Sequence, residues 1–179
     1  SAGPGGCTKA WNLRPDIVVI GKSIGGGVPS GAYGLTSEIA SRIMSYPEAD
    51  LVDVGGVGGT LAGNALSTTA MRATLSEVLT DVTFDHMIEL ATRFREGVEQ
   101  VLTDTSIPWT VAQLGARAEY RFLAPAPRTG TESAAAQDDD IEQYLHLFMP
   151  NRGVLLTPFH NMAPMCPTTT VADVNRHTE

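Results

Sequence analysis

The sequence predicts an α/β protein, and three patterns carry that prediction. A run of β-branched residues at 17–20 stands shortly before a triple glycine at 25–27, which indicates a short buried strand that ends in a loop. Apolar residues then recur with helical spacing between about residues 83 and 102. Beyond that helix, strand and helix signals alternate, as expected of an α/β unit.

The first eighty residues are expected to form two strands and two helices. A second strand around residues 32–35 follows the first. Ser37 is the expected N-cap of a short helix that runs through Met44. Residues 55–59 are rich in glycine and are predicted to be irregular, and a tightly packed helix is expected from Asn64 because small and apolar residues follow it.

A long amphipathic helix is predicted next, beginning at Thr83 or Asp85 and running to about Leu102. The apolar side chains expected on one face of it are Met87, Leu90, Ala91, Phe94, Val98 and Val101. Two strands, at residues 109–114 and 118–123, are expected on either side of a glycine turn.

The remaining sequence mixes polar segments with short apolar ones. Residues 125–136 are predicted to be a surface loop because Pro, Thr, Ser and Ala dominate them. The three aspartates at 138–140 either cap a helix that runs through Phe148 or form a solvated acidic turn. Residues 154–156 and 162–165 are predicted to be short strands or extended segments, and Thr170 opens a final helix.

Lys22 follows the first strand directly and precedes the triple glycine. A lysine in this place either extends its stem along the strand with its ammonium in water, or serves as a nucleophile that forms a Schiff base with a carbonyl compound or with pyridoxal phosphate. The lack of side chains at 25–27 suits the close approach of a flat ligand. A phosphate-binding P-loop is excluded, because Asp16 stands where that motif needs its first glycine and Pro29 follows where its helix should run.

Three motifs in order then carry a resemblance to a known family. They are PDIVVIGKSIGGGVPSGAYG at residues 15–34, GGTLAGNAL at residues 58–66 and NRGVLLTPF at residues 151–159, the last followed by Asp173 and Val174. Together they resemble the lysine segment, the glycine-threonine segment and the C-terminal end of class III pyridoxal-phosphate-dependent aminotransferases. The similarity is to the glutamate-1-semialdehyde aminomutase-like branch.

The resemblance implies a fold type I transferase of which this chain is a carboxy-terminal fragment. Residues 1–82 would be the C-terminal part of the large domain that binds pyridoxal phosphate. Residues 83–179 would be most of the small C-terminal α/β domain, truncated at its end. The upstream phosphate loop, the ring-stacking aromatic residue and the Asp that pairs with the pyridine nitrogen in the family would then precede Ser1.

The resemblance also assigns roles to particular residues. Lys22 would bind pyridoxal 5'-phosphate as a Schiff base and would transfer the proton during the reaction. Gly59 and Thr60 would bind the cofactor phosphate of the neighbouring subunit, which implies a homodimer with an active site shared between subunits. Arg152 would grip a substrate carboxylate, or it is a surface arginine near a turn. His160 either contacts substrate or is a packed or solvent-facing histidine.

The expected function is a transaminase that moves an amino group between an amino acid, with a β-amino acid as one option, and a keto acid. The aminomutase usually lacks an arginine at the position of Arg152, and this departure favours the transaminase. Two alternatives remain open. They are glutamate-1-semialdehyde 2,1-aminomutase and a non-catalytic fragment that lacks half of the cofactor site.

Composition narrows the range of partners. The net charge of −8 and the scatter of the 12 Lys and Arg residues argue against a nucleic-acid surface. Cys7 and Cys166 are expected to be free thiols, and their spacing indicates no zinc site. No apolar stretch approaches the roughly 20 residues that span a membrane, so a cytoplasmic location is the default expectation.

Overall fold

The computed structural model describes residues 1–46, 48, 58–157 and 160–178. The chain divides into two compact units. The first unit is Trp11–Thr80, and the second consists of Ser1–Ala10 together with Asp81–Glu179 and begins with the short helix α1, Gly6–Ala10. The assignment of residues 1–82 and 83–179 to a large and a small domain concerns the longer family members, so it stays a prediction.

The first unit contains a two-stranded antiparallel sheet. Strand β1, Ile17–Gly21, pairs with β2, Gly31–Leu35, in a register that places Gly21 opposite Gly31. Both predicted strands are therefore confirmed. The expectation that β1 is buried is wrong for the described residues, because four of its five residues are exposed, with Val19 at 79%.

Two helices follow the hairpin in the first unit. Helix α2, Ser37–Met44, ends at the predicted residue, but the predicted N-cap Ser37 is wrong, because the N-cap is Thr36, whose hydroxyl accepts a hydrogen bond from the Ile39 amide. Helix α3, Ala65–Ala73, is capped by Asn64 and continues into a π-helical turn at Thr74–Val78. No residue of α3 is buried, so the prediction of a tightly packed helix is wrong. Residues 55–57 of the predicted irregular stretch lie outside the described residues.

The second unit is built on the long helix α4, Asp81–Thr105. It starts before both of the predicted first residues, and five of the six predicted core positions on it are buried. Val101 is the exception and is 40% exposed. Its side chain lines an open apolar cavity of about 270 Å³ together with Trp109 and Tyr120, which explains why it is not covered.

A three-stranded antiparallel sheet packs against α4. Its strands are β3, Thr110–Leu114, β4, Arg117–Arg121, and β5, Met162–Pro164, in the order β3-β4-β5. The predicted period-two alternation of β4 is confirmed, because Ala118 and Tyr120 are buried and the residues between them are not. The buried cluster between sheet and helices consists of Leu90, Phe94, Val98, Ala118, Tyr120, Leu156 and Val174.

The predicted surface loop at residues 125–136 contains a short helix instead. Helix α5, Gly130–Ala135, is capped by Thr129, whose hydroxyl accepts from the Glu132 amide at 3.2 Å. The Glu132 carboxylate accepts from the Arg128 amide in return. This is a Thr-x-x-Glu arrangement that stabilises a helix start, and the composition of the loop concealed it.

The last part of the second unit holds two further helices. In α6, Asp139–Phe148, the Asp138 carboxylate accepts from the Ile141 amide at 3.0 Å, so the helix-capping interpretation of the acidic run is confirmed. Helix α7, Val171–Thr178, begins after Thr170 as predicted, and Thr170 and Asp173 cap it reciprocally. Residues 154–156 form no strand, whereas β5 covers most of the other predicted extended segment.

Candidate functional site

Lys22 is the first residue after β1, and its backbone lies in the left-handed region with φ of 61°. A lysine at positive φ is strained by about 1–2 kcal/mol, and such residues gather at functional sites. The side chain is exposed. No carboxylate of the described residues forms an ion pair with its amine, so the amine is free to react with an aldehyde.

The loop after Lys22 depends on two glycines. Lys22–Gly25 forms a 3-10 turn, in which a Cβ atom added at Gly25 would lie 2.5 Å from the Ser30 hydroxyl oxygen. One added at Gly26, where φ is 58°, would lie 2.5 Å from the Thr74 hydroxyl oxygen. Side chains at these two positions would push the turn away from Ser30 and from the buried Thr74. The glycines therefore allow the turn beside Lys22 to pack closely against Ser30 and Thr74.

Gly59 and Thr60 lie in an exposed turn that leads into α3. Gly59 has φ of 73°, and its carbonyl accepts from the Ala62 amide at 3.2 Å. Thr60 makes no hydrogen bond within the described part of the chain, so its hydroxyl is available to an external acceptor. A turn of exposed amides with a free hydroxyl has the donors that a phosphate group needs. These residues and Lys22 therefore fit pyridoxal phosphate in chemical character.

A cavity of about 460 Å³ lies between the loop that follows Lys22 and the turn before α3. Val28 and Pro29 line one side of it, and Leu61 and Asn64 line the other. The Ser67 hydroxyl donates to the Pro29 carbonyl at 3.0 Å and so joins α3 to the lysine loop. Neither Lys22 nor Thr60 is among the residues that line this cavity.

Arg152 lies in the second unit, at the end of the 3-10 turn Pro150–Arg152 that follows α6. Its guanidinium carbon is 3.4 Å from the centroid of the Phe148 ring. The side chain is exposed. Among the residues that the structure describes, no acceptor pairs with the five N–H groups of this guanidinium. The geometry leaves the planar edge of Arg152 free for an anion.

His160 is exposed and lines a small polar cavity with Glu119 and Arg121. The Arg121 guanidinium is already bound to the Glu119 carboxylate at 2.6 Å. The neighbouring Asn161 is buried and donates to Glu142 at 3.1 Å. Contact of His160 with a substrate remains a prediction. Residues 158 and 159 of the third motif lie outside the described residues.

The structure thus places Lys22, Gly59 and Thr60 in the first unit and Arg152 in the second. Within the first unit no described hydrogen bond joins Lys22 to Thr60. The sequence analysis missed Phe148 as the partner of Arg152. A signal for it exists, because Phe148 and Arg152 are four residues apart, the spacing at which side chains of a helix meet.

Two buried groups in the second unit have strongly shifted pKa values. Burial raises the pKa of Tyr120 to about 12. Burial also lowers the pKa of His177 to about 4. No described group offers a hydrogen bond to either ring nitrogen of His177 or to the Tyr120 hydroxyl. Both side chains are therefore neutral near pH 7.

The family model described as aminotransferase class-III matches residues 2–178. The chain belongs to this family. The resemblance read from the three motifs is thereby confirmed, and the fold is that of part of a fold type I transferase.

Individual relatives agree with the family assignment. Glutamate-1-semialdehyde 2,1-aminomutase 2 of Staphylococcus saprophyticus is 33% identical over 172 residues, which span 95% of this chain and 38% of that protein. A crystal structure of a glutamate-1-semialdehyde-aminomutase from Pseudomonas aeruginosa PAO1, a lysine-to-alanine variant in complex with PMP, is 46% identical with a TM-score of 0.91. It covers 99% of this chain and 40% of that chain.

A more distant solved structure supports the fold but not the function. A β-phenylalanine aminotransferase from Variovorax paradoxus is 21% identical with a TM-score of 0.77, covering 99% of this chain and 40% of that chain. The chain therefore spans about two fifths of the length of the relatives it matches. In the described residues, no helix is both long enough and apolar enough to cross a bilayer, and no cluster of three or more His, Cys, Asp or Glu side chains could hold a metal ion.

Proposed function

We propose that the chain is part of a pyridoxal-phosphate-dependent transaminase that moves an amino group between an amino acid, with a β-amino acid as one option, and a keto acid. The observation that carries this proposal is Lys22, which combines a left-handed backbone with an exposed amine that pairs with no carboxylate of the described residues, at the end of a strand. Membership of the class-III family supports the same reaction class.

Lys22 would hold the cofactor and later act on the substrate. The Lys22 amine would hold pyridoxal phosphate at its aldehyde carbon and would be freed when a substrate amine takes its place. Pyridoxal phosphate supplies an electron sink that stabilises negative charge at the substrate carbon. The freed amine of Lys22 would take the proton from that substrate carbon and deliver it to the C4′ carbon of the cofactor.

Gly59 and Thr60 would bind the phosphate of a cofactor held by a neighbouring subunit. The amides of Gly59 and Thr60 and the Thr60 hydroxyl have no hydrogen-bond partner in the described part of the chain, which suits a contact made in trans. Loss of the Thr60 hydrogen bond to a charged group should weaken cofactor retention by about 1.5–3 kcal/mol. The test is Thr60→Val, with cofactor affinity measured in the complete protein.

Mixed dimers test the shared site. Subunits carrying Thr60→Val are paired with subunits carrying Lys22→Ala, which places both lesions in one site and leaves the other site whole. At a cofactor concentration that leaves the Thr60→Val homodimer largely empty, about half of the parent activity should return if Thr60 acts across the dimer. Mixed dimers with no more than half of the activity of the Thr60→Val homodimer would exclude a contact in trans.

Arg152 would recognise the substrate carboxylate. The guanidinium presents two parallel donors to a carboxylate, and its edge is free while Phe148 covers one face. An amino acid and a keto acid both carry the group that such a site binds. The Arg152 contact therefore favours substrates that carry a carboxylate.

A second candidate function is glutamate-1-semialdehyde 2,1-aminomutase. The names of the relatives at 33% and 46% identity favour it. The two reactions differ in one requirement, because a transaminase needs an external keto acid to complete its cycle and the aminomutase does not.

The deciding experiment uses the complete protein that carries this chain. It is supplied with glutamate-1-semialdehyde alone, and separately with a panel of amino acids with and without a keto acid. Turnover of amino acids that depends on the keto acid supports the transaminase. Conversion of glutamate-1-semialdehyde with no added keto acid, together with no turnover of the panel, would replace it by the aminomutase.

A further inference from the structure

The Arg152 side chain lies flat on an aromatic ring at the end of α6. The helix ends at Phe148, and the chain then turns through Pro150–Arg152. The Arg152 amide donates to the Met149 carbonyl at 2.9 Å, which returns the side chain toward the preceding helical turn. The guanidinium carbon is then 3.4 Å from the Phe148 ring centroid, the separation of a stacked contact.

The backbone of Arg152 is held from a second side by α7. The Nε–H of Arg176 donates to the Arg152 carbonyl at 2.9 Å. Gly153, the next residue, has φ of 76°, and a Cβ atom added there would lie 3.1 Å from an Nη atom of Arg176. Arg176 therefore packs against the turn at Gly153, where any larger residue would crowd its guanidinium. The hydrogen bond from Arg176 also fixes the peptide that follows Arg152.

These two contacts restrict Arg152 without using its donors. Stacking occupies one face of the guanidinium, and the bond from Arg176 occupies only the backbone carbonyl. The five N–H groups at the edge have no acceptor among the described residues. Restricting a long side chain in advance lowers the entropy that it loses when an anion binds.

We propose that Phe148 and Arg176 are positioning residues that hold the Arg152 guanidinium as a preformed fork for a substrate carboxylate. This inference rests on the proposed function, because it needs Arg152 to bind that carboxylate. Phe148 fixes the plane of the guanidinium by stacking on it, and Arg176 fixes the position of the Arg152 backbone through its hydrogen bond to the carbonyl. Neither residue touches the substrate in this arrangement.

A purely structural role makes a different prediction. If Phe148 and Arg176 only pack the end of α6 against α7, their loss should lower stability and affect all substrates equally. If they orient the fork, their loss should weaken only ligands that carry a carboxylate. The ratio of the KM for a ligand with a carboxylate to the KM for a matched ligand without one separates these two cases.

The experiment measures kcat and KM of the complete protein with an amino acid substrate and with the corresponding amino-acid amide, whose neutral group has a similar shape. Where the amide is not turned over, its constant for competitive inhibition is measured instead. The variants are Phe148→Leu, Phe148→Tyr, Arg176→Met and Arg152→Ala. The matched control is Leu147→Ala, which truncates an exposed side chain beside Phe148 on α6.

Phe148→Leu should raise KM for the amino acid about 2- to 5-fold with kcat little changed, which is the range expected from loss of an exposed cation-π contact. The constant for the amide should not change. Arg176→Met should shift KM in the same direction, Phe148→Tyr should keep the parent value, and Leu147→Ala should behave as the parent.

Two failures can be told apart. If Arg152→Ala raises KM for the amino acid selectively while Phe148→Leu does not, the positioning inference is wrong and the carboxylate role of Arg152 stands. If Arg152→Ala affects the amino acid and the amide equally, the carboxylate role itself is wrong and the inference falls with it. Equal losses for both ligands in Phe148→Leu would also overturn the inference.

Discussion

The buried imidazole of His177 should make the stability of the second unit depend on pH. The ring lies on α7 with its centroid 4.4 Å from that of Phe94 and 6.2 Å from that of Tyr120. Neither ring nitrogen has a partner among the described residues, and burial lowers the pKa of His177 to about 4. Tyr120 offers no negative charge, because its pKa is raised to about 12.

The sign and size of the effect follow from the two pKa values of His177. Above pH 6.5 the imidazole is neutral in both folded and unfolded chains, so it contributes no pH dependence. Between pH 6.5 and about 4 the unfolded chain binds a proton that the folded chain does not, so stability falls as the pH falls, and it levels off below that window. The difference of about 2.5 pKa units corresponds to a loss of up to about 3 kcal/mol.

The assay is urea unfolding across this pH range, followed by the fluorescence of Trp109 in a Trp11→Phe background. Trp109 is a local probe because its ring stacks with that of Tyr120 at 6.3 Å. In His177→Phe, which cannot be protonated, the fall in stability between pH 6.5 and 4 should shrink by up to about 3 kcal/mol. His160→Gln, which removes an exposed imidazole, should show the same fall in stability over this pH range as the parent protein. An unchanged fall in His177→Phe would refute the reasoning.

Three further changes have clear expected outcomes. Leu90→Ala in the core of the second unit should lower the free energy of unfolding by about 2–5 kcal/mol in a urea titration, because Leu90 is 2% exposed and leaves a cavity; a cost below 1 kcal/mol would mean that the site collapses. Gly26→Ala should lower the free energy of unfolding by more than about 1 kcal/mol in the same titration, because φ is positive at this residue and the new methyl group meets Thr74. An unchanged urea midpoint would contradict this crowding. Cys166 should react with a maleimide faster than the half-buried Cys7, because hydrogen bonds from neighbouring threonines lower the pKa of its exposed thiol, with the order of labelling read by mass spectrometry.

The predictions from sequence succeeded where the signal was local. The long apolar repeat of α4 and the alternation in β4 identified the buried residues, because each pattern reports which face meets the core. Asp138 was correctly read as one option for a helix cap, because a carboxylate before an apolar run satisfies free amides.

The failures concern what surrounds each element. The sequence of β1 is as apolar as a buried strand, and nothing in it shows that the described residues leave Val19 uncovered. Helix α3 was expected to pack tightly for the same reason. Arg152 was identified as a candidate, yet its contact with Phe148 depends on the turn Pro150–Arg152, whose geometry the sequence did not define.

The central claim is that Lys22 carries the cofactor, and one measurement tests it directly. The complete protein is loaded with pyridoxal phosphate and reduced with borohydride, which fixes the cofactor to its lysine, and the peptides are mapped by mass spectrometry. The pyridoxyl group should be found on Lys22. Recovery of the label on Lys9, the other lysine of this sequence, or on a lysine elsewhere in the complete protein would contradict it.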